Sequence, residues 1–166
     1  MAYVLGFLSA DGYLTLNRRG ANFWNIQIVD KGLLYKIKKV IKAEHKIGKR
    51  VSKINRHISY RLQIGSKEMC TDLRELGIVE RKTKNLAVPN VPDRYFKDFV
   101  RGYFDGDGYV RTGKVYKTGR SKVSYVIHVV FTSCSKVFLE ELASRLMESG
   151  VGQGTIRQQQ GYHRLV

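Results

Sequence analysis

Tyr3-Val4-Leu5-Gly6-Phe7-Leu8-Ser9-Ala10-Asp11-Gly12-Tyr13 recurs 96 residues later as Phe99-Val100-Arg101-Gly102-Tyr103-Phe104-Asp105-Gly106-Asp107-Gly108-Tyr109. Self-similarity at a fixed offset means that one supersecondary unit is used twice. Both copies place small residues four apart, Gly6 with Ala10 and Gly102 with Gly106. Residues four apart share a helix face, so two such helices present matching small-residue faces and pack backbone to backbone. Asp-Gly follows in each copy. That pair alone is an ordinary stop-and-turn signal; the recurrence with matching small residues and a following Tyr sets these two apart.

Outward from the motif the repeat is looser but continuous. Each copy runs into a hairpin, a strand (24–29; 126–132) and an amphipathic helix (33–41; 138–146). The helices are offset by 105, which places about nine extra residues in the second copy's hairpin, around 113–122. A strand pair follows (51–55 with 59–64; 154–159 with 162–166), and a helix over 66–76 closes the first copy. The expected fold is therefore α+β: two pseudo-symmetric αββαββα lobes forming a saddle-shaped antiparallel sheet surface. Residues 1–76 are the first lobe and 97–166 the second. Residues 77–96, with Pro89 and Pro92, read as the connection. The second lobe has no counterpart of the 66–76 helix and is expected to be truncated at its C-terminus.

Composition narrows the class of partner. Thirty Lys and Arg against 14 Asp and Glu leave a net charge of +16 and a pI near 10. Such an excess repels itself unless a polyanion neutralises it, and duplex DNA is the densest available. Residues 1–96 hold 19 basic and 8 acidic residues, and 97–166 hold 11 and 6, so both lobes are basic. No apolar run is long enough for a membrane span and no leader precedes Tyr3, which points to an intracellular, non-secreted protein without a membrane partner. Two distant cysteines, Cys70 and Cys134, support neither a disulfide scaffold nor a zinc knuckle. His45 and His57 have no partner at metal-ligand spacing, and Gly12 and Gly108 lie in no nucleotide-binding loop.

The repeated acids are a chemical signal. Asp11 and Asp107 stand at adjoining C-terminal helix ends, where the helix dipole is negative and each carboxylate repels the other. A divalent cation held between them relieves both, and hard carboxylate oxygens suit Mg²⁺.

Leu5-Gly6-Phe7-Leu8-Ser9-Ala10-Asp11-Gly12 and Gly102-Tyr103-Phe104-Asp105-Gly106-Asp107-Gly108 resemble the motif of the LAGLIDADG homing endonucleases and related maturases, in their single-chain, two-motif form. The resemblance extends to element order and nearly the whole chain. It implies a monomeric, Mg²⁺-dependent endonuclease that makes a staggered double-strand break in a long, asymmetric DNA site, with Asp11 and Asp107 as metal ligands. Mn²⁺ is expected to substitute, and Ca²⁺ to support binding without cleavage. The first copy has Ser9 where the motif carries its earlier acid and the second keeps Asp105; that position is not the family's metal ligand. The resemblance further implies a polar residue before the second helix of each lobe, Asp30 and Ser135, that orders solvent around the metals. It also implies a basic residue after the lobe's last helix, Lys82. Intron homing is the implied setting; no splicing-type flanking segments are visible, so an intein-embedded form is not expected. The alternatives are a maturase that binds intron RNA and a DNA-binding regulator without catalysis.

Strand alternation sorts the sheet residues. In the first lobe Leu14, Leu16, Trp24, Ile26, Ile28, Ile54 and Leu62 point to the core, opposite Thr15, Asn17, Arg19, Asn25, Gln27, Lys53, Asn55, Ser59, Arg61 and Gln63. Arg, Lys, Gln and Asn match base edges in the major groove, which admits a two-stranded ribbon. In the second lobe Arg111, His128, Thr132, Arg157, Gln159 and His163 take comparable places, and Lys117 and Lys122 in the long hairpin are expected to meet phosphates.

Overall fold

The computed structural model describes residues 1–54, 56–116 and 123–166. The first lobe comprises α1 (Ala2–Asp11), β1 (Gly12–Leu16), β2 (Asn22–Ile28), α2 (Lys31–Val40), β3 (Ile47–Val51), β4 (Ile58–Gly65) and α3 (Lys67–Glu75). A connection containing one 3₁₀ turn, Lys82–Lys84, leads into α4 (Asp93–Asp107). The second lobe continues through β5 (Gly108–Val115), β6 (Ser124–Ser133), α5 (Lys136–Glu148), β7 (Ile156–Gln159) and β8 (Tyr162–Leu165). Each lobe has one four-stranded antiparallel sheet, ordered β1-β2-β4-β3 and β5-β6-β8-β7. The same order in both sheets is the repeat made visible in topology.

The two repeated helices form the largest interface between any pair of elements. Only glycine fits at their crossing: a Cβ on Gly6 would lie 2.0 Å from the Phe99 carbonyl oxygen, and one on Gly102 2.0 Å from that of Tyr3. Val4, Phe7, Phe99 and Tyr103 fill the space around this contact and are buried. Each helix passes into a strand without a loop, because Gly12 and Gly108 fold back where a Cβ would strike Leu8 and Phe104. The two motif acids are therefore the last residues of α1 and α4.

Away from the centre, apolar faces close over each sheet. Trp24, Ile26, Leu62 and Ile64 lie beneath Leu34 and Ile37 of α2 and Cys70 and Leu73 of α3; Phe131 and Leu165 lie beneath Phe138, Leu139 and Leu142 of α5. In the first lobe α3 packs on β2, and Trp24 is fully buried. Val129, which stands in the second lobe where Trp24 does in the first, is 50% exposed, and β8 is the last element.

Two elements start earlier than the sequence suggests. Helix α4 begins at Asp93, because Pro92 supplies its entry with φ −55° and Asp93 occupies its first turn; the repeat becomes visible only from Phe99. β3 lies at Ile47–Val51, four residues earlier than the alternation suggests, and pairs Ile47 with Leu62 and Val51 with Ile58. Ile54, expected in the core, is therefore 98% exposed in the connecting turn, and Lys53 lies in the same turn. The Val-Ile spacing fits either register; the apolar partner for Leu62 is Ile47.

Candidate active site and nucleic-acid face

Asp11 and Asp107 reach the site because a helix end and a glycine-led strand start coincide there in each lobe. The two ends touch: a Cβ on Gly106 would lie 2.5 Å from the Ala10 methyl and 3.3 Å from Asp11 Oδ2. Burial pushes the Asp11 carboxyl up from its ordinary value, with Lys82 pulling it back. Burial, reinforced by the charge of Asp11 and opposed by Lys82, pushes Asp107 up to about 6. Two carboxylates that resist ionising together and share one cation favour an additional positive charge.

Lys82 is that cation. Its side chain is buried, and Nζ donates to the carbonyls of Ser9 at 2.7 Å and Ala10 at 3.1 Å, capping the negative end of α1. Burial lowers its pKa, while Asp107 and Asp11 hold it up. The connection delivers it: Arg81 takes a left-handed conformation at φ 58° to start the 3₁₀ turn, and Ile78 and Leu86 are buried on either side. A cleft of about 290 Å³ opens beside Asp107, lined by Ser9, Lys82, Tyr103, Thr132, Cys134 and Tyr162 among others. Its wall is tied together by hydrogen bonds. Tyr103 Oη donates to the Thr132 carbonyl at 2.6 Å, and Thr132 Oγ1 donates to the Asp107 carbonyl at 2.8 Å.

Asp30 and Ser135 stand just before the second helix of each lobe, as expected. Each is a helix N-cap: Asp30 Oδ1 accepts from Leu33 N–H at 3.0 Å, and Ser135 Oγ accepts from Phe138 N–H at 3.3 Å. Ser135 Oγ also donates to the Leu86 carbonyl at 2.6 Å and is buried, so both of its capacities serve the fold. Asp30 faces a separate cleft with Tyr3, Lys36, Arg101 and Asp105, where Tyr3 Oη donates to Asp105 at 2.8 Å. The charge acting on Asp11 is that of Lys82, and those acting on Asp107 are of Asp11 and Lys82; neither Asp30 nor Ser135 contributes. A polar residue just before an amphipathic helix is first of all a capping signal, and here capping is what it does.

Register assigns the sheet faces. On the first sheet Tyr13 pairs with Asn25, Gln27 with Arg61, Asn25 with Gln63, and Arg50 with Ser59. Paired residues share a face, so Tyr13, Thr15, Asn25, Gln27, Arg50, Ser59, Arg61 and Gln63 lie together. Several are cross-linked: Gln27 Nε2 donates to Ser59 Oγ at 3.0 Å, and Arg61 donates to Gln63 Oε1 at 3.0 Å. Asn25 is fully buried rather than open on this face. Its Nδ2 donates to Thr15 Oγ1 at 3.2 Å, and its Oδ1 has no partner among the described residues. Asn17 builds the β1–β2 turn, its Oδ1 accepting from the backbone of Arg19 and Ala21, and Arg19 lies in that turn. Arg50, absent from the face that alternation alone predicts, joins it because β3 starts at Ile47.

On the second sheet Arg111 pairs with His128, Thr132 with Arg164, Arg157 with Arg164, and Gln159 with Tyr162. These share the face of Tyr109. His163 does not. It pairs with Ser133 and Gln158 on the opposite, helix-covered side, and Arg164 takes the place expected for it. The turn at Gly161, φ 86°, sets Gln159 opposite Tyr162 and thereby Arg157 opposite Arg164. Asn55, Lys117 and Lys122 lie outside the described residues. Among the described residues neither of these two faces carries an acid.

Comparison with known proteins agrees with this geometry. Residues 97–166 match the family model described as a LAGLIDADG-like domain. The second lobe therefore matches a LAGLIDADG-like domain, and the first lobe repeats its strand order. Its fold matches that of mesophilic variants of the homing endonuclease I-DmoI, with a TM-score of 0.62 and 15% identity over 99% of this chain and 85% of that one. I-DmoI in complex with its target DNA in the presence of manganese gives a TM-score of 0.62 at 17% identity, covering 99% and 84%. I-SmaMI bound to uncleaved DNA in the presence of calcium ions gives 0.59 at 14%, covering 99% and 77%. At these identities the likeness to solved structures is one of fold. A probable translation initiation factor IF-2 of Thermococcus kodakarensis is 34% identical over 113 residues, 63% of this chain. The chain spans only 9% of the length of that relative.

Proposed function

We propose that this protein is a site-specific endonuclease of the LAGLIDADG type that binds a long, asymmetric DNA duplex on its two polar sheet faces and makes a staggered break in both strands by metal-assisted hydrolysis. The observation that carries the reading is the pair of raised carboxyls, Asp11 and Asp107, at the meeting point of α1 and α4. A DNA-binding regulator gains nothing from two half-buried acids brought together at touching helix ends.

The donor set fits a hard divalent cation. Two carboxylates lie beside main-chain carbonyls, and among the described residues no group of three His, Cys, Asp or Glu side chains is close enough to make a complete protein cage. Mg²⁺ accepts such sites, being held by one or two carboxylates with water and substrate phosphates completing its shell. Where bound, the cation supplies charge neutralisation and an activated water for phosphodiester hydrolysis. The manganese and calcium present in the I-DmoI and I-SmaMI complexes support a divalent requirement of this kind.

The chain's own residues do the rest. Asp11 and Asp107 are the residues that would hold the cation. Lys82 uses two of its three donors on α1 and directs positive charge at the cleft, where it offsets the charge that develops on the attacked phosphate. Arg50, Arg61, Arg111, Arg157 and Arg164 present the fork geometry that suits guanine edges and phosphates. Gln27, Ser59, Gln63, His128 and Gln159 add further donors and acceptors. Because the two sheets differ residue by residue, the preferred site has unlike halves. We propose a monomer, since the chain carries both acids itself, and a reducing compartment, since Cys70 and Cys134 are both free. Among the described residues no helix is long and apolar enough to cross a membrane. Kinship with 9% of an initiation factor assigns no translational role here.

Cleavage selection on a randomised duplex library, run in parallel with Mg²⁺ and Ca²⁺, tests the reading. A long asymmetric site, cut with Mg²⁺ or Mn²⁺ and only bound with Ca²⁺, is expected. Asp11→Asn is expected to abolish cutting and leave DNA affinity within a few-fold. Binding without cutting in every metal overturns the nuclease reading, and preference for structured intron RNA over the selected duplex replaces it with the maturase.

A further inference from the structure

Tyrosine follows Asp-Gly in both lobes, and the fold gives the two phenols equivalent stations. Gly12 and Gly108 open β1 and β5, so Tyr13 and Tyr109 are the second residues of those strands, two positions beyond Asp11 and Asp107. Their ladder partners are Asn25 and Val130, which places both rings on the outer sheet faces. Directly opposed residues of an antiparallel pair stand about 4.5–5.5 Å apart at Cβ. Both partners are buried although they belong to outer faces, Asn25 at 0% and Val130 at 2% exposure, whereas the tyrosines are 36% and 37% exposed. Each lobe therefore presents a partly open aromatic ring beside its acid, standing across from a closed floor.

The floors and walls differ. Tyr13 stands across from the Asn25 carboxamide, whose Oδ1 has no partner among the described residues. The Arg164 guanidinium lies 6.0 Å from the Tyr109 ring centre and 5.2 Å from that of Tyr162, and it donates to the Tyr162 hydroxyl. The two rings thus share a backbone position and a degree of exposure but not their neighbours.

We infer that Tyr13 and Tyr109 are a pair of specificity-determining residues that contact the base steps between the two scissile phosphates and hold them in a deformed shape. The inference rests on the endonuclease reading of the same site. Any duplex that offers its phosphates to Asp11 and Asp107 must lay the intervening nucleotides over the residues immediately following those acids. A rigid ring with a polar tip suits that position. It packs against sugars or wedges at a step, and such wedges partly unstack and kink the duplex. The resulting selectivity is for deformability rather than for a hydrogen-bond code: flexible pyrimidine–purine steps are favoured and stiff A-tracts disfavoured.

The test uses the full chain and the duplex recovered by library selection, rebuilt with either a TA step or an A-tract at its centre. A second pair of duplexes carries 2-aminopurine at the central step, and its fluorescence reports unstacking in Ca²⁺ without any cutting. The wild type is expected to cleave the TA duplex at least five-fold faster than the A-tract and to raise the 2-aminopurine signal on binding. Tyr13→Ala and Tyr109→Ala are each expected to lose most of that signal and to compress the step preference below two-fold. Tyr13→Phe and Tyr109→Phe, which keep the ring and control for the fold, are expected to retain both. Alanine variants with the wild-type signal and preference overturn the inference while leaving the nuclease reading intact. Phenylalanine variants as impaired as the alanine variants also overturn it, by moving the role to the hydroxyl. A wild type that binds but never cuts defeats the nuclease reading itself, and this inference with it.

Discussion

Replacing Gly6 by Ala puts the central helix contact under a defined load. The new methyl would lie 2.0 Å from the Phe99 carbonyl oxygen, and 2.9 Å from Phe99 C and Tyr103 N. A carbon rests no closer than about 3.2 Å to a carbonyl oxygen, so the shortfall is about 1.2 Å. All three obstacles are main-chain atoms of a helix, and no rotamer change removes them. Relief requires α1 and α4 to separate by about 1 Å along a seam packed with Val4, Phe7, Phe99 and Tyr103. A gap of that size forfeits a quarter to a half of each dispersion contact across it, and overpacking of this kind costs about 3 kcal/mol. For a chain of this length that corresponds to a fall in melting temperature of about 6–12 °C. Gly102→Ala, aimed at the Tyr3 carbonyl from the other side at the same 2.0 Å, is expected to match it. The double variant is expected to lose less than the sum, because the first separation makes room for the second methyl. Gly152→Ala is the control: a Cβ there meets nothing within 4 Å. Thermal melts by circular dichroism, with urea midpoints as a second measure, read all four proteins. If Gly6→Ala melts with Gly152→Ala and the wild type, the backbone-to-backbone contact is not as described, and the placement of the acids that depends on it falls too.

Three further outcomes follow from the site. Asp107 has a folded pKa of about 6, above its ordinary 3.8, so between these values the native state binds more protons than the unfolded state, and stability falls as pH rises through that window. Metal-free protein is therefore expected to be about 1–2 kcal/mol less stable at pH 7 than near pH 4.5 from this group, after allowance for solvent screening. Asp107→Asn is expected to flatten the profile and abolish cutting, as urea titrations across pH and a cleavage assay will show. Lys82→Met, similar in volume, removes the charge facing both acids; a roughly 10²–10³-fold loss in cleavage rate with DNA affinity little changed is expected from single-turnover kinetics. A rate within three-fold of wild type would remove Lys82 from the chemistry. Arg164→Ala is expected to weaken binding and reduce the slope of log K against log salt by about 1 if the side chain meets a phosphate, whereas His163→Ala, on the covered face, leaves both unchanged.

What is legible in this sequence depends on whether a residue's role is fixed by repetition or by register. Gly6, Gly102, Asp11 and Asp107 are legible because each is duplicated, and glycine recurring at one offset signals a steric demand that both lobes share. The order of strands is legible for the same reason. Lys82 is reached only through family resemblance: nothing in Arg81-Lys82-Thr83-Lys84 distinguishes it from its basic neighbours, since its burial comes from a left-handed turn at Arg81 and the fit of the connection against α1. Asp30 and Ser135 carry a second signal that family resemblance does not supply: a polar oxygen before a helix is a cap, and both residues cap.

The sheet faces show where alternation stops being informative. Period-two reasoning assigns faces within a strand, but it passes from one strand to the next only through the turn, and a one-residue slip reverses every side chain. The turn at Gly161 makes Arg164 and not His163 the partner of Arg157, and the start of β3 at Ile47 brings in Arg50 and leaves Lys53 outside the strand. These slips fall where they can be tolerated. Both hairpins lie at the outer ends of their sheets, where a base-contacting residue can be exchanged without disturbing the core. At the helix pair, by contrast, main-chain atoms meet at distances that leave no alternative register. On the endonuclease reading, the chemistry is therefore expected of the part of the chain with least freedom, and the choice of DNA sequence of the part with most. A protein built this way is expected to change its target through positions such as Arg50, Gln27 and Arg164 while Asp11, Asp107 and the glycines that bring them together stay fixed.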